Sequence, residues 1–464
     1  MKQKPTIGEE ELAQQRRFMD AVAQLQERPR KYHIVTLGCQ MNVRDSETIA
    51  GMLSEMGFFP AACKEDADLV LYNTCCVREN AENRALGNVI WLKELKKDKP
   101  DLLICVGGCM MQEEGMADRL IKAYPFIDLI FGTHNLHRLP ELLYRTMSEQ
   151  RQVAEVLDTD GSIAEGLPVR RNSVHSAFIT IMYGCNNFCT YCIVPYVRGR
   201  ERSREMRDIL REARALVDQG VKEITLLGQN VNSYGGGAAF PDLLYEMDKL
   251  GVERVRFMTS HPKDLSDELI QAFRDIPSLM NQLHLPVQAG NDRILSEMNR
   301  RYTREHYLRL VQKLRAAVPD IGLTSDTIVG FPGETLAEFE DTLSLAEQVR
   351  FDAAFTFIYS PRANTKAALM PDGTLPEEKQ RRLQLLIDTQ QRIAKEILDA
   401  QVGKQEMVLV DSQSSREAGH ICGKTQRGHM VNFPGNISQI GQMATIQILS
   451  AGRNTLRGVQ KETQ

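Results

Sequence analysis

The 464-residue sequence predicts an α/β fold made of two successive βα series and a small terminal all-β module. Three observations carry this. Short apolar runs alternate with helical stretches from residue 31 to about 147, and the same alternation returns from 176 to about 400. Beyond Gly403 the helical spacing stops, and short alternating runs separated by glycine-containing turns take its place. Strands alternating with helices imply parallel sheets with right-handed crossovers, because a twisted strand feeding a helix packs back with that hand. Short alternating strands with glycine turns imply a small barrel.

In chain order, residues 8–27 carry Leu12, Phe18, Val22 and Leu25 at the spacing of one helical face, so residues 1–30 are a helical extension. The strands of the first series read YHIVTLGC, ADLVLYNTCC, LLICVGGC and IDLIFGT. Helices are expected at about 44–56, 81–97, 112–123 and onward to 147. Residues 31–150 therefore form a Rossmann-like or flavodoxin-like domain. Residues 151–172 are polar, with Gly161, Gly166 and Pro168, and read as a linker. The second series spans 173–400, with strands SAFITIM, EITLLGQ, RVRFMTS, MNQLHLPV, GLTSDTIVG and DAAFTFIYS. These units fit a partial (βα)6 barrel, in which chemistry lies at the C-terminal strand ends. A charged helix over 376–400 has Leu383, Leu386, Ile387, Ile393 and Ile397 on one face and packs on the barrel. Residues 401–464 form the small C-terminal β-barrel.

With 42% apolar and 25% charged residues, the composition is that of a globular protein long enough for several domains. The net charge of -4 argues against a uniformly basic nucleic-acid binder, so RNA contacts must come from local patches. No apolar run has the length of a membrane span. The N-terminal stretch mixes both charge signs and lacks an apolar core, so it reads as neither a secretory signal nor a transit peptide. Ten cysteines without an export signal point to reduced thiols used as ligands, and to a cytoplasmic location.

The densest chemical signal is YGCNNFCTYC, which places Cys185, Cys189 and Cys192 at i, i+4 and i+7 directly after a strand. Iron–sulfur clusters take cysteine thiolates, usually four. No fourth cysteine or histidine follows within twenty residues, so a cluster here keeps one iron open. A zinc site needs a fourth ligand at a suitable spacing, and none is near. A second set is spread over the first series. Cys39, Cys75 and Cys109 end successive strands, 36 and 34 residues apart, one βα unit each. Carboxyl ends of parallel strands line one crevice, so these thiols converge as a second three-cysteine metal site. Cys105 and Cys63 read as small core residues and Cys422 as inert. Cys76 adjoins Cys75; neighbours on an extended chain point opposite ways, so only one of the pair faces the site.

The barrel's strand ends hold Gln229, Asn230, His261, Gln288, Asp326 and Tyr359, with Gly330, Gly333 and Glu334 in a turn at the same rim. His261 and His284 read as satisfied core histidines. After the cysteine loop, residues 198–214 hold seven Arg and four acids, and Arg198, Arg200 and Arg202 are candidates to cradle phosphate. From Gly403 onward seven Lys/Arg (Lys404, Arg416, Lys424, Arg427, Arg453, Arg457, Lys461) face four acids (Glu406, Asp411, Glu417, Glu462). A basic β-barrel is a platform for RNA, with phosphate contacts and a base stacked on Phe433.

The C-x3-C-x2-C loop resembles the signature of the radical S-adenosylmethionine (AdoMet) enzymes, and Tyr191 before its last cysteine fits that pattern. The resemblance implies AdoMet bound to the open iron. Gln229 resembles the residue that contacts the methionine amine, and Gln288 and Asp326 stand where ribose or carboxylate contacts occur. The order of the three parts resembles the methylthiotransferase family of radical AdoMet enzymes, whose terminal domain is of the TRAM type. YHIVTLGCQMNVRDSE, NTCCVRENAENRA, GCMMQ and FGTHNLHRLPELL are most similar to its bacterial branch acting on N6-dimethylallyladenosine (i6A) of tRNA. Branches acting on a ribosomal protein or on threonylcarbamoyl-adenosine differ after the first cysteine, where this chain has Gln40, Met41 and Asn42.

Membership implies one [4Fe–4S] cluster on Cys39, Cys75 and Cys109 and another on Cys185, Cys189 and Cys192. It also implies two AdoMet and insertion of a methylthio group at C2 of i6A at position 37 of tRNA, giving ms2i6A. A reductant such as flavodoxin or ferredoxin, an unidentified sulfur donor, no membrane and a monomeric state complete the expectation. Cys76 departs from a usual alanine or serine, and Met111 from a usual alanine. Two rivals stand beside this reading: methylthiolation of a protein side chain, and a non-catalytic iron–sulfur or zinc RNA-binding protein.

Overall fold

Apolar strands that lack polar alternation must be covered on both faces, and the first βα series does this. The computed structural model describes residues 6–76, 79–157, 161–415 and 417–461, with side chains omitted for 79–86. Residues 77–85 of the NTCCVRENAENRA motif are thus outside the described side chains, and Arg416 and Glu462 are outside the described residues. The chain divides into two units: Met1–Asn172 with Met182–Phe188 and Cys192–Arg204, and Ser173–Ile181 with Cys189–Tyr191 and Glu205–Gln464.

The first unit comprises α1 (Glu9–Gln24), β1 (Arg30–Thr36), α2 (Gln40–Glu55), β2 (Phe58–Pro60), β3 (Leu69–Thr74), α3 (Glu79–Asp98), β4 (Leu103–Gly108), α4 (Met116–Ala123), β5 (Leu129–Phe131), α5 (Leu139–Glu149) and β6 (Val153–Glu155). The strands pair in the order β2-β1-β3-β4-β5-β6, all parallel. This is the flavodoxin-like order, and the strand sequence reverses between β1 and β3, where ligands of such sheets bind. Alternate strand residues serve opposite cores. Leu69, Leu71 and Cys105 join Ile49, Met52 and Leu142 on one face, and Val70, Tyr72, Ile104 and Val106 join Leu92 and Leu120 on the other.

Several local expectations change. The first α-helix docks through Gln15, Met19 and Val22, while Leu25 is exposed. The second helix starts at Gln40, immediately after Cys39, not near residue 44. A 3-10 turn, Cys109–Gln112, precedes α4. The short edge strands β2 and β6 have too few residues to show a period, and β6 falls inside the stretch read as a linker. Cys63 is exposed rather than in the core, because it caps a surface 3-10 turn.

The unit also receives β8 (Met182–Tyr183), α6 (Val194–Val197) and β9 (Arg202–Ser203). SAFITIM is therefore not one strand. β7 (Ser176–Thr180) ends before Ile181, and β8 turns away to pair antiparallel with β9.

The second unit continues with α7 (Met206–Asp218), β10 (Glu223–Leu227), α8 (Phe240–Asp248), β11 (Arg254–Phe257), α9 (Asp267–Asp275), β12 (Gln282–His284), α10 (Asp292–Glu297), α11 (Arg304–Ala317), β13 (Gly322–Val329), α12 (Leu336–Val349) and β14 (Ala353–Ile358). The strands form two parallel three-stranded sheets, β11-β10-β7 and β12-β13-β14, joined by a parallel bridge between Val255 and Leu279. The six anticipated strands are all present as an open barrel wall. α13 (Pro376–Asp399) packs its Leu383 and Leu386 with Ile358 of β14 and Phe339 of α12.

β15 (Gln405–Gln413), β16 (His420–Lys424), β17 (Met430–Pro434), β18 (Met443–Ala451) and β19 (Leu456–Gln460) close a five-stranded barrel in the order β15-β16-β17-β19-β18. Asp352 anchors it: its carboxylate accepts from Arg427 Nε and stands 2.7 Å from His429 Nε2. Arg254 donates to the carbonyls of Lys424 and Met407 at 2.7 and 2.8 Å. Phe433 is fully buried with Val431 inside this barrel and is not a stacking surface, because alternation on β17 turns both inward. Among the described helices none is long and apolar enough to cross a membrane.

Candidate active site

In the first unit the ends of β3 and β4 carry the buried thiols of Cys75 and Cys109, and Cys39, which is exposed, follows β1 at the β1/β3 switch point. Its centre is Asn42, which follows Cys39 by three residues on the first turn of α2. Asn42 Nδ2 donates to the carbonyls of Leu37 and Thr74 at 3.0 and 2.8 Å, tying the ends of β1 and β3 together. Its Oδ1 lies 3.7 Å from Cys39 Sγ and 3.8 Å from Cys109 Sγ. Cys75 packs against the backbone at Gly38, whose φ is +117; a Cβ there would lie 2.9 Å from Cys75 Sγ. Cys39 and Cys109 thus flank the Asn42 amide oxygen, and Cys75 lies against Gly38.

Two further groups stand here that spacing did not reveal. Cys76 lies in the same buried cluster as Cys109. The strand ends at Thr74 and the chain bends at Cys76, so the alternation of an extended chain does not continue there. Arg198, expected to cradle phosphate, is buried here instead. Its Nε donates to Cys109 Sγ at 3.1 Å, and its Nη2 donates to Asn42 Oδ1 at 3.1 Å and to Asp45 Oδ2 at 2.7 Å. Interaction with Cys76, with Arg198 adding to it, lowers the Cys109 thiol against burial.

Arg200 lies 4.3 Å over the Phe188 ring, and Arg202 donates to the carbonyls of Arg198 and Arg200, so Arg202 is also spent on structure. Gly184 sets the entry to the cysteine loop. Its φ is +74, and a Cβ there would meet the Arg200 carbonyl at 2.1 Å. Cys185 N donates to Gly199 O at 3.1 Å, and Ile193 after Cys192 joins the core beside β4.

In the second unit, Cys189 is held by its neighbour Thr190, whose N–H and hydroxyl donate to the carbonyls of Met298 and Glu297 at 3.1 and 2.7 Å. Tyr191 packs against the cluster of Ile294, Leu295, Met298 and Phe331. Arg300 reaches Cys189 Sγ at 3.5 Å through Nη1, while its Nη2 donates to Pro286 O at 2.7 Å and its Nε to the Tyr302 hydroxyl at 2.9 Å. Burial opposes the Arg300 charge, but Tyr302, Tyr191 and Cys189 hold its pKa raised. Each cysteine set therefore has a buried guanidinium on one sulfur. The residues around Arg300 carry no motif that marks it.

At the rim, Gln288 is a non-glycine residue at φ +72 whose N–H donates to Asp326 O at 2.9 Å. Asp326, Thr324 and Ile328 share the less buried face of β13, next to His284 and Phe355. Asp326 Oδ2 is 3.5 Å from His284 Nε2, and Thr324 Oγ1 is 3.0 Å from His284 Nδ1, so both ring nitrogens of His284, 11% exposed, are satisfied. Gln229 follows β10 and is half-buried. Burial pushes His261 down to about 2 and keeps it neutral; its Nδ1 accepts from Lys263 N at 3.2 Å. Glu334, raised by burial, accepts from Gly330 N at 2.7 Å and fixes the turn after β13.

The donor sets suit soft iron–sulfur groups. Thiols beside guanidinium groups favour the thiolate form that ligates. Among the described residues no three His, Cys, Asp or Glu side chains are drawn together around one ion, and the thiols of a cubane bind separate irons. Asn230 Oδ1, Ser260 Oγ, His261 Nε2 and the Tyr359 hydroxyl are buried without a protein partner at the ends of β10, β11 and β14. Orphaned polar atoms at strand ends fit a polar ligand such as AdoMet.

Family models match along the chain: the Radical SAM superfamily over residues 179–346, an uncharacterized protein family, UPF0004, over 31–132, and the TRAM domain over 399–460. Curated relatives named tRNA-2-methylthio-N(6)-dimethylallyladenosine synthase match nearly end to end. That of Acetivibrio thermocellus is 52% identical over 97% of both chains. That of Thermoanaerobacter sp. is 49% identical over 97% of both. That of Clostridium perfringens is 51% identical over 92% of this chain and 96% of its own. Among solved structures, the radical S-adenosylmethionine methyltransferase TsrM from Kitasatospora setae shares the fold, with TM-score 0.53, 16% identity and coverage of 74% of this chain and 77% of its own. The chain belongs to the tRNA-2-methylthio-N(6)-dimethylallyladenosine synthase family of radical SAM enzymes.

Proposed function

We propose that this chain inserts a methylthio group at C2 of N6-dimethylallyladenosine at position 37 of tRNA anticodon loops, giving ms2i6A. Near-full-length identity of 49–52% to synthases of that name carries the reading. Cys39, Cys75 and Cys109 would hold one [4Fe–4S] cluster and Cys185, Cys189 and Cys192 the other, each with one iron left for a ligand. Tyr191, Gln229, Gln288 and Asp326 would contact AdoMet, along with the orphaned atoms of Asn230, Ser260 and His261. When bound, these groups supply a hydrogen-abstracting radical and an iron site that holds sulfur, with two AdoMet used per product.

The chain's own residues do the rest. The C2 hydrogen of adenosine is not acidic, so no side chain here removes it as a proton, and the barrel instead positions the base. Arg198 and Arg300 hold positive charge on Cys109 and Cys189, which favours thiolate ligation and tunes each site. A base in an anticodon loop is already unstacked enough to be splayed into a pocket. Exposed cations of the terminal barrel, Arg453, Arg457 and Lys461, are suited to phosphate contacts. Arg427 is not among them, since it is committed to Asp352 and Asp320.

The domain assignment follows: a helical extension over 1–30, the auxiliary-cluster domain over 31–150, a connection over 151–172, the radical AdoMet barrel over 173–400 and the TRAM-type domain over 401–464. The chain would act in the cytoplasm as a monomer, with flavodoxin or ferredoxin as reductant. The test is nucleoside mass spectrometry of i6A-containing tRNA incubated anaerobically with the iron-loaded enzyme, AdoMet, sulfide and reductant. A mass gain of SCH2 on isopentenylated adenosine alone is expected. Zinc in place of iron, or no gain on that nucleoside, overturns the reading.

A further inference from the structure

Two side chains of the FGTHN turn after β5 converge on one carbonyl in the segment that follows the cysteine loop. Thr133 Oγ1 donates to Val197 O at 3.0 Å, and His134 Nε2 lies 3.2 Å from the same oxygen. A carbonyl accepts and cannot donate, so His134 Nε2 carries its hydrogen and donates here. The turn that presents them is itself pinned. Asn135, fully buried, accepts from Gly132 N at 2.9 Å and donates to Glu155 O of β6 at 2.8 Å. Gly161 packs so closely on the imidazole that a Cβ there would lie 2.2 Å from His134 Nδ1.

Val197 ends α6, and its carbonyl shares a peptide unit with Arg198 N, which donates to Val194 O at 2.8 Å. Both polar atoms of that unit are bonded, and because it is planar the Arg198 Cα is fixed with it. Arg202 donates to Arg198 O at 3.3 and 3.2 Å and holds the next carbonyl. One donor is enough to satisfy a carbonyl; two arriving from one turn also fix where it points. The far end of Arg198 needs that precision. Its guanidinium meets Cys109 Sγ, Asn42 Oδ1 and Asp45 Oδ2 at 3.1, 3.1 and 2.7 Å in a nearly closed space. Hydrogen bonds to ligand sulfurs set the potential of an iron–sulfur group.

We propose that Thr133 and His134 are positioning residues for the N-terminal iron–sulfur site: by holding the Val197 carbonyl they place the Arg198 guanidinium on Cys109, and through it they set the cluster's reduction potential. The inference rests on the assignment of a cluster to Cys39, Cys75 and Cys109. It gives the turn after β5 a part in tuning a site that it reaches through Arg198.

The experiment uses full-length protein in which Cys185, Cys189 and Cys192 are all replaced by alanine, so that the remaining cluster is the N-terminal one. After anaerobic reconstitution with iron and sulfide this background is expected to hold about four irons. EPR-monitored redox titration reads the potential, and urea unfolding of the iron-free chain, followed by Trp91 fluorescence, reads stability. Thr133→Val combined with His134→Phe is expected to keep the iron and move the potential in the same negative direction as Arg198→Met, by less. In a chain already carrying Arg198→Met, the pair should move the potential no further, because both act through one guanidinium. Thr133→Ser with His134→Gln keeps both donors and should restore the potential of the background. A pair variant that is less stable but unchanged in potential overturns the proposal, as does a full further shift on top of Arg198→Met. If the pair prevents folding, the single variants Thr133→Val and His134→Phe take its place, and the same outcomes decide. A background that binds no iron overturns the cluster assignment, and the proposal with it.

Discussion

Arg198→Met removes a buried cation that three groups share. In the wild type its guanidinium lies 2.7 Å from Asp45 Oδ2, 3.1 Å from Asn42 Oδ1 and 3.1 Å from Cys109 Sγ. The Arg198 and Asp45 side chains are only 7% and 13% exposed, so solvent does not compensate the loss. Breaking a buried pair by removing one partner typically costs about 3–5 kcal/mol, and the slight exposure of Asp45 places this case near 3 kcal/mol. Asp45→Asn removes the counter-charge, and the double variant leaves neither charge orphaned. The double variant is therefore expected to be more stable than the sum of the single effects by about 2 kcal/mol. The chain's one tryptophan, Trp91 on α3, reports unfolding of this unit, with Lys64 Nζ 3.8 Å from its ring centroid. Denaturant unfolding of the four iron-free proteins, followed by Trp91 fluorescence, measures the cycle. An Arg198→Met variant within about 0.5 kcal/mol of wild type, or strict additivity with Asp45→Asn, refutes the reasoning.

In iron-loaded protein, Arg198→Met and Arg300→Met should each shift one cluster's reduction potential to more negative values, because a cation on a ligand sulfur stabilises the more anionic reduced state; EPR-monitored redox titration reads this. Gly184→Ala should strain the loop entry by about 1–3 kcal/mol and reduce iron at the Cys185 set, measured as iron per chain in a Cys39→Ala background. Glu338, held down to about 2 chiefly by the Arg293 guanidinium, has a depressed pKa in the fold. Its contribution is complete above the ordinary carboxylate value and fades as pH falls toward 2. The urea-midpoint difference between wild type and Glu338→Gln should therefore be present at pH 7 and shrink below about pH 4. Half-exposed Arg293 limits it to about 1 kcal/mol. Asp352→Ala should loosen the terminal barrel's anchoring, seen as faster amide exchange in β16 and β17 with β1 and β3 unchanged.

What the sequence determined by itself is whatever local chemistry dictates. Apolar runs between helical stretches specified the β3 and β4 strands and the six barrel strands, and thiols spaced one βα unit apart specified that Cys39, Cys75 and Cys109 follow successive strands. The three-cysteine loop was legible because its cysteines lie within a few residues of one another. β2 and β6 were not legible, since three residues are too short to show a period.

Tertiary structure alone decided which side chains come to those sulfurs from far along the chain. Arg198 was visible as an arginine in a basic run, yet its place on Cys109 depends on the return of β8, α6 and β9 to the first unit. Arg300 on Cys189 and the burial of Phe433 have the same origin. A repeating pattern encodes which face of a strand or helix is apolar, but a single long-range contact has no period, and only closure of the chain selects it.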